Sequence, residues 1–206
     1  MGNCSTKSLY DSIEACPGKK SLPGIRRRLY YIPKADIALF PKLKSAEGQE
    51  VQMKDLAVLD GDFTLLENKV WKFIDLKDEA SNATFEGVGE EGSKVFNNQA
   101  NAIVVGMSDE VKGFARQALN DDIVYLFQQR DGKFCLLGNE MFKTHTTPSG
   151  DTGTEPTGAI TTTFAIQVYD ECAVPTYVGK IAISATKYID ASDGTEQSYQ
   201  QEQTPG

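Results

Sequence analysis

The chain has 206 residues, is 40% hydrophobic with ten Phe, and carries a formal net charge of −8 at pH 7. Those figures allow a real core in one domain of ordinary to large size. They exclude a general nucleic-acid binder, which needs a basic surface to neutralise phosphate, but not a protein past which nucleic acid slides.

The four cysteines, Cys4, Cys16, Cys135 and Cys172, are far apart and form no C-x-x-C pair. A reducing compartment is therefore a simpler reading than a disulfide framework. No run reaches the length of a transmembrane helix, and the first residues lack the apolar core of a signal peptide.

Residues 1–24 read as a polar N-terminal arm. The opening Met-Gly-Asn-Cys-Ser-Thr fits the pattern for acylation at Gly2 with Cys4 as a second acceptor, but the pattern is short and an ordinary flexible arm is the simpler reading. Lys19, Lys20, Arg26, Arg27 and Arg28 form the basic cluster of an acidic chain. Such a cluster either starts a solvated strand or grips an acidic neighbour.

A β domain over 25–189 follows. Leu29 to Ile32 and Ile37 to Phe40 read as short strands bounded by prolines, and Asp60-Gly61 as a turn before a strand at Phe63 to Leu66. Lys69 to Leu76 alternates, with Trp71 and Phe73 on one face, as a half-buried antiparallel strand does. Gly87-Val88-Gly89-Glu90-Glu91-Gly92 has the letters of a dinucleotide loop, but Glu90 and Glu91 stand where phosphates would lie and no helix cap follows. Its glycines instead let the chain bend sharply between two strands. Asn97 to Val105 reads as one long strand whose polar first half leaves the core.

Ser108 is an N-cap, followed by Asp109 and Glu110 where the helix dipole favours negative charge. Val111, Phe114, Ala115, Ala118 and Leu119 make the apolar stripe of that helix. Ile123 to Phe127 is a β-branched and aromatic strand, Asp131-Gly132 a two-residue hairpin turn, and Phe134 to Leu137 the return. Cys135 on that return reads as a small buried apolar residue.

Thr144 to Thr163, rich in Thr, Gly and Pro, reads as a long loop. It holds His145, the single histidine, and Asp151-Thr152-Gly153-Thr154, which has the local form of an aspartic-protease loop. It lacks the preceding apolar strand and the second aspartate that a protease needs. Thr162 to Tyr169 alternates as a strand, Tyr177 to Ser184 makes another that Lys187 to Ile189 extends, and 190–206 is a polar C-terminal tail.

The order of elements resembles the tail-tube-like proteins of tailed bacteriophages and the related ring proteins of the head-to-tail region. The residues that carry the resemblance are Gly87 to Phe96, the strand to Val105, Ser108 through Leu126, and the hairpin ending Leu136-Leu137-Gly138. The Gly153 to Thr163 loop adds to it. The opening at residues 23–33, Pro-Gly-Ile-Arg-Arg-Arg-Leu-Tyr-Tyr-Ile-Pro, is similar to that of virion proteins of phages infecting Bacteroidetes-type hosts. The resemblance implies a mainly β (α+β) fold, an antiparallel β-sandwich or split barrel flanked by one helix, whose inner strands join edge to edge into a six-fold or twelve-fold ring.

Its implied function is structural: a virion protein, made in the host bacterial cytoplasm, forming part of a DNA-conducting tail tube or head-to-tail connector. No catalytic, cofactor or metal site is expected. Arg26, Arg27, Arg28, Asp151, Thr152, Thr154 and Glu155 are the expected subunit contacts. Expected partners are further copies of the chain, neighbouring tail or portal proteins and genomic DNA that passes without sequence-specific binding, with no membrane. Two alternatives stand beside this reading. One is a monomeric small-molecule binder or hydrolase using the 145–154 loop, and the other a capsid decoration or head-completion protein.

Overall fold

The computed structural model describes residues 10–14, 18, 22–44, 51–155 and 158–199. Its strands, in chain order, begin with β1 (Ile25–Pro33), β2 (Ile37–Leu39), β3 (Lys42–Leu43), β4 (Val58–Asp60), β5 (Thr64–Leu65), β6 (Lys72–Asp75), β7 (Asn82–Val88) and β8 (Val95–Val105). The helix α1 (Asp109–Ala118) comes next. After it follow β9 (Ile123–Gln129), β10 (Phe134–Leu137), β11 (His145–Asp151), β12 (Thr161–Asp170), β13 (Thr176–Tyr177), β14 (Lys180–Ala182), β15 (Lys187–Asp190) and β16 (Glu196–Ser198). The fold is mainly β with several antiparallel sheets and one α-helix among the described residues, as the sequence leads one to expect.

The central layer is a seven-stranded sheet in the order β3-β4-β13-β10-β9-β1-β6. β9 lies inside it and is covered on both faces, so Ile123, Val124, Tyr125, Leu126 and Phe127 are all buried. That explains the unbroken apolar run: a strand with two dry faces cannot alternate. On one face Ile123, Tyr125, Phe127, Cys135 and Leu137 meet Ala100, Ala102, Val104, Phe164, Ile166 and Val168 of a four-stranded sheet, order β11-β12-β8-β7. On the other face Val124, Leu126, Phe134 and Leu136 meet Phe63, Trp71, Tyr177, Ile181 and Ile189. The small sheet β14-β15-β16 and the pair β2-β5 belong to this third layer.

α1 closes one side of the sandwich. The Ser108 hydroxyl accepts from the Val111 N–H at 3.4 Å, which caps the first turn. Phe114 stacks edge-on against Tyr31 and Phe164, with centroids 4.8 and 5.1 Å apart, so the helix bridges the two main sheets. Val111, Ala115 and Ala118 pack on the same core as expected, but Leu119 lies past the last turn and is exposed.

Several expectations change on contact with this fold. The turn at Asp131-Gly132 is a three-residue loop, because Gln129 N–H bonds the Lys133 carbonyl and Gly132 N–H the Gln129 carbonyl. Residues 144–163 are not a loop throughout: β11 pairs with β12 over its whole length, from His145 opposite Gln167 to Asp151 opposite Thr161. The Thr-rich composition that suggested a loop is that of a solvent-facing edge strand. Pro148 is tolerated there because an edge strand has one unpaired side.

The polar first half of β8 does not leave the core. Asn97 and Asn98 are buried, and the Asn98 amide both donates to the Cys172 carbonyl at 2.9 Å and accepts from the Val174 N–H at 3.1 Å. Tyr177 to Ser184 is not one strand. Gly179 separates β13, which joins the central sheet, from β14, which joins the small one, and β15 folds back on β14 instead of extending it. A β-carbon on Gly179 would collide with the Asp62 carboxylate and lie 2.5 Å from the Tyr177 hydroxyl, so the chain passes only with glycine there.

The polar C-terminal segment also starts later than expected. β16 pairs with β15, Ala191 is buried, and Tyr188 stacks on Tyr199 with centroids 4.8 Å apart. The Gly2 and Cys4 acylation pattern lies outside the described residues, as do Lys19 and Lys20.

Candidate subunit interface

The four-stranded sheet buries one face and exposes the other. The exposed face is built from the alternate positions of its strands, which the registers align in rows. One row runs Thr84, Gln99, Gln167, His145, and the next runs Asn82, Asn101, Ala165, Thr147. Glu86, Asn97 and Tyr169 make a third. The side chains brace one another. The Asn97 amide donates to Glu86 Oε1 at 2.9 Å and accepts from Gln167 Nε2 at 3.0 Å, and Gln99 Nε2 reaches Glu86 at 3.4 Å. Glu86 is the sole carboxylate of these rows, and no Lys or Arg stands in them.

Among the described residues this sheet has two free edges. β7 and β11 each span seven residues and each pairs there on one side only. The strands alternate in direction across the sheet, so β7 and β11 run antiparallel to each other. Both edges are mostly exposed along their lengths. The glycine-bent turn of 87–92 joins β7 to β8 as a hairpin tip, with Gly89 and Gly92 at positive φ and strands on both sides. That is the geometry the sequence suggested, and it leaves no helix N-terminus for a phosphate.

The three arginines of β1 point to solvent, and two of them are held by aspartates. Arg27 Nε lies 3.0 Å from Asp78, and Arg28 Nε 3.0 Å from Asp75 with its guanidinium 4.0 Å over the Phe73 ring. Arg26 bonds Gln128 at 3.3 Å. Arg130, far from them along the chain, completes an open groove of about 670 Å³. Its Nε is buried without a hydrogen-bond partner among the described residues.

Asp151, Thr152, Thr154 and Glu155 lie together at the other free edge, exposed, where β11 ends. Asp151 Oδ1 accepts from the Gly153 N–H at 2.9 Å, which folds the turn. The expected contact residues thus form two separate clusters within one subunit, basic and acidic.

His145 sits exposed on β11 and hydrogen-bonds no carboxylate or cysteine among the described residues. Burial pushes the Cys135 thiol up to about 12 and the Cys172 thiol up to about 11, so both stay protonated and unreactive at neutral pH. No group of three or more His, Cys, Asp or Glu that could hold a metal ion occurs among the described residues. No helix among them is long and apolar enough to cross a membrane.

The amide rows of β8 were legible in part. Asn97, Gln99 and Asn101 alternate with Asn98, Ala100 and Ala102, a period-2 signal for one polar face and one packed face. Arg130 carried no signal, since only the fold brings it to β1. No family model, no curated protein and no solved structure matches the chain.

Proposed function

We propose that the chain is a non-catalytic structural virion protein that closes into rings, forming part of the DNA-conducting tail tube or head-to-tail channel of a tailed phage. The observation that supports this best is the four-stranded sheet with two free, antiparallel edges of equal length. A sheet of even strand number can repeat around a ring with every joint antiparallel, β7 of one copy against β11 of the next. The joint satisfies backbone groups that an isolated subunit leaves unpaired.

The face available to line the ring is neutral to acidic. It offers amides and hydroxyls but no cation to retain phosphate, which suits a channel that DNA must leave. Six copies would bring about 24 strands together. At roughly 4.8 Å per strand their circumference is about 115 Å, a diameter near 37 Å before strand tilt widens it. A nucleic-acid duplex passes through such an opening.

Proline substitution at β7 tests the joint. Backbone N–H groups of adjacent residues on a strand point to opposite sides, so of Thr84→Pro and Phe85→Pro one removes a donor from the free edge and spares the subunit's own ladder. That variant is expected to stay folded and to lose assembly. Full assembly by both variants would contradict the joint.

A further inference from the structure

The antiparallel joint has a direction. Pairing all seven residues of both edges sets Asn82 of one copy against Asp151 of the next, and Val88 against His145. The acidic turn that follows Asp151 then continues past the start of β7, toward Asp78 to Ser81. The arginine groove opens at that corner. Arg27 is tied to Asp78, and a β-carbon on Gly24 would lie 3.6 Å from both Arg130 Nε and the Ser81 carbonyl, so Arg130 stands beside the start of β7.

Charge complements charge there. Four arginines line the groove against the two aspartates that pair with Arg27 and Arg28, which leaves Arg26 and Arg130 without a carboxylate among the described residues. The Asp151 to Glu155 turn carries two carboxylates and no cation. The guanidinium groups of Arg26 and Arg130, on the open groove and without a carboxylate there, are donors that an incoming carboxylate can satisfy.

We infer that the groove of Arg26, Arg27, Arg28 and Arg130 receives the Asp151–Glu155 turn of a second copy of this chain, an electrostatic latch that fixes the register of the β7–β11 joint. The inference rests on the ring reading above. Backbone pairing alone permits slippage by two residues without turning side chains over, and a charged contact at one end removes that freedom. Phosphate or DNA in the groove is the competing occupant.

The test uses the full chain in three forms: wild type, the groove variant Arg27→Glu/Arg130→Glu, and the turn variant Asp151→Lys/Glu155→Lys. Ring fraction is read from solution mass. Each variant alone places like charges at every joint and is expected to lose rings by at least about tenfold. Mixed in equal amounts, the two are expected to form alternating rings, since each joint then sets acid against base. The recovery also shows that both variants are folded.

A fourth form, Asp151→Asn/Glu155→Gln, changes only exposed side chains and is expected to lower ring fraction at least about threefold. Rings from either charge-reversed variant alone, or wild-type rings with no recovery in the mixture, would overturn the latch and leave the ring reading standing. Wild-type chain that never forms rings would overturn both. Undiminished ring formation by the neutral turn variant, coupled with tight DNA binding by wild type that the groove variant loses, would assign the groove to phosphate instead.

Discussion

Asn98 carries more of the fold than its polarity suggests. It is fully buried at the start of β8, and its amide holds the Cys172 to Val174 segment by two hydrogen bonds. That segment includes Val174 at φ 43°, a strained conformation for a β-branched residue. Asn98→Ala strands a half-buried carbonyl and a half-buried N–H and is expected to destabilise by about 2 kcal/mol, read by urea denaturation. Asp170, nearby and also buried, gives a pH signature. Burial pushes its carboxyl above its ordinary value near 3.8, offset in part by hydrogen bonds from Asn139 and the backbone of residues 171 and 172. The folded chain therefore holds that proton more tightly than the unfolded chain. As pH rises from 3.8 through the raised value, the unfolded state ionises first and stability is lost. Stability of the wild type relative to Asp170→Asn is expected to fall with rising pH across that window. A rise would contradict the assignment.

At the scale of elements, what the sequence disclosed followed from local physics. The cap at Ser108, the stripe from Val111 to Ala118 and the bent turn at 87–92 each depend on neighbours within a few residues. Ser108→Ala is expected to cost about 1 kcal/mol, measured by thermal or chemical unfolding. What was illegible depends on distant partners. β11 is Thr- and Gly-rich because it is an edge, and only its pairing with β12 makes it a strand. Asn97 and Asn98 looked like residues leaving the core because nothing local reveals that the Cys172–Val174 segment arrives to bond Asn98, or that Glu86 and Gln167 cover Asn97. The 131–132 turn gained a residue because its length is decided by the register of β9 and β10. The split of 177–184 into two sheets turns on the approach of Asp62 and Tyr177 to Gly179. Gly179→Ala is expected to destabilise by about 2 kcal/mol or more. Near wild-type stability in that variant would mean the crossing is looser than the packing implies.

For the whole molecule, the two cores divide the labour. The layer formed by β14, β15 and β16 covers one face of the central sheet and the four-stranded sheet the other, so both its faces are covered within the subunit, and its edge strands β3 and β6 are short. The four-stranded sheet is covered on one face only, and its edges and polar face remain for other molecules. The candidate site was legible as two charge clusters, Arg26 to Arg28 and Asp151 to Glu155. That the basic cluster lies beside the start of β7 and the acidic one at the end of β11, near opposite edges of the four-stranded sheet, is a property of topology alone. The proposed ring requires that the edges β7 and β11 join between copies. The decisive measurement is solution mass across a concentration series, with negative-stain images of the same fractions. A closed species of fixed mass with a central hole is expected, giving way to monomer on dilution and at high salt. A monomer at every concentration and at low salt would contradict it.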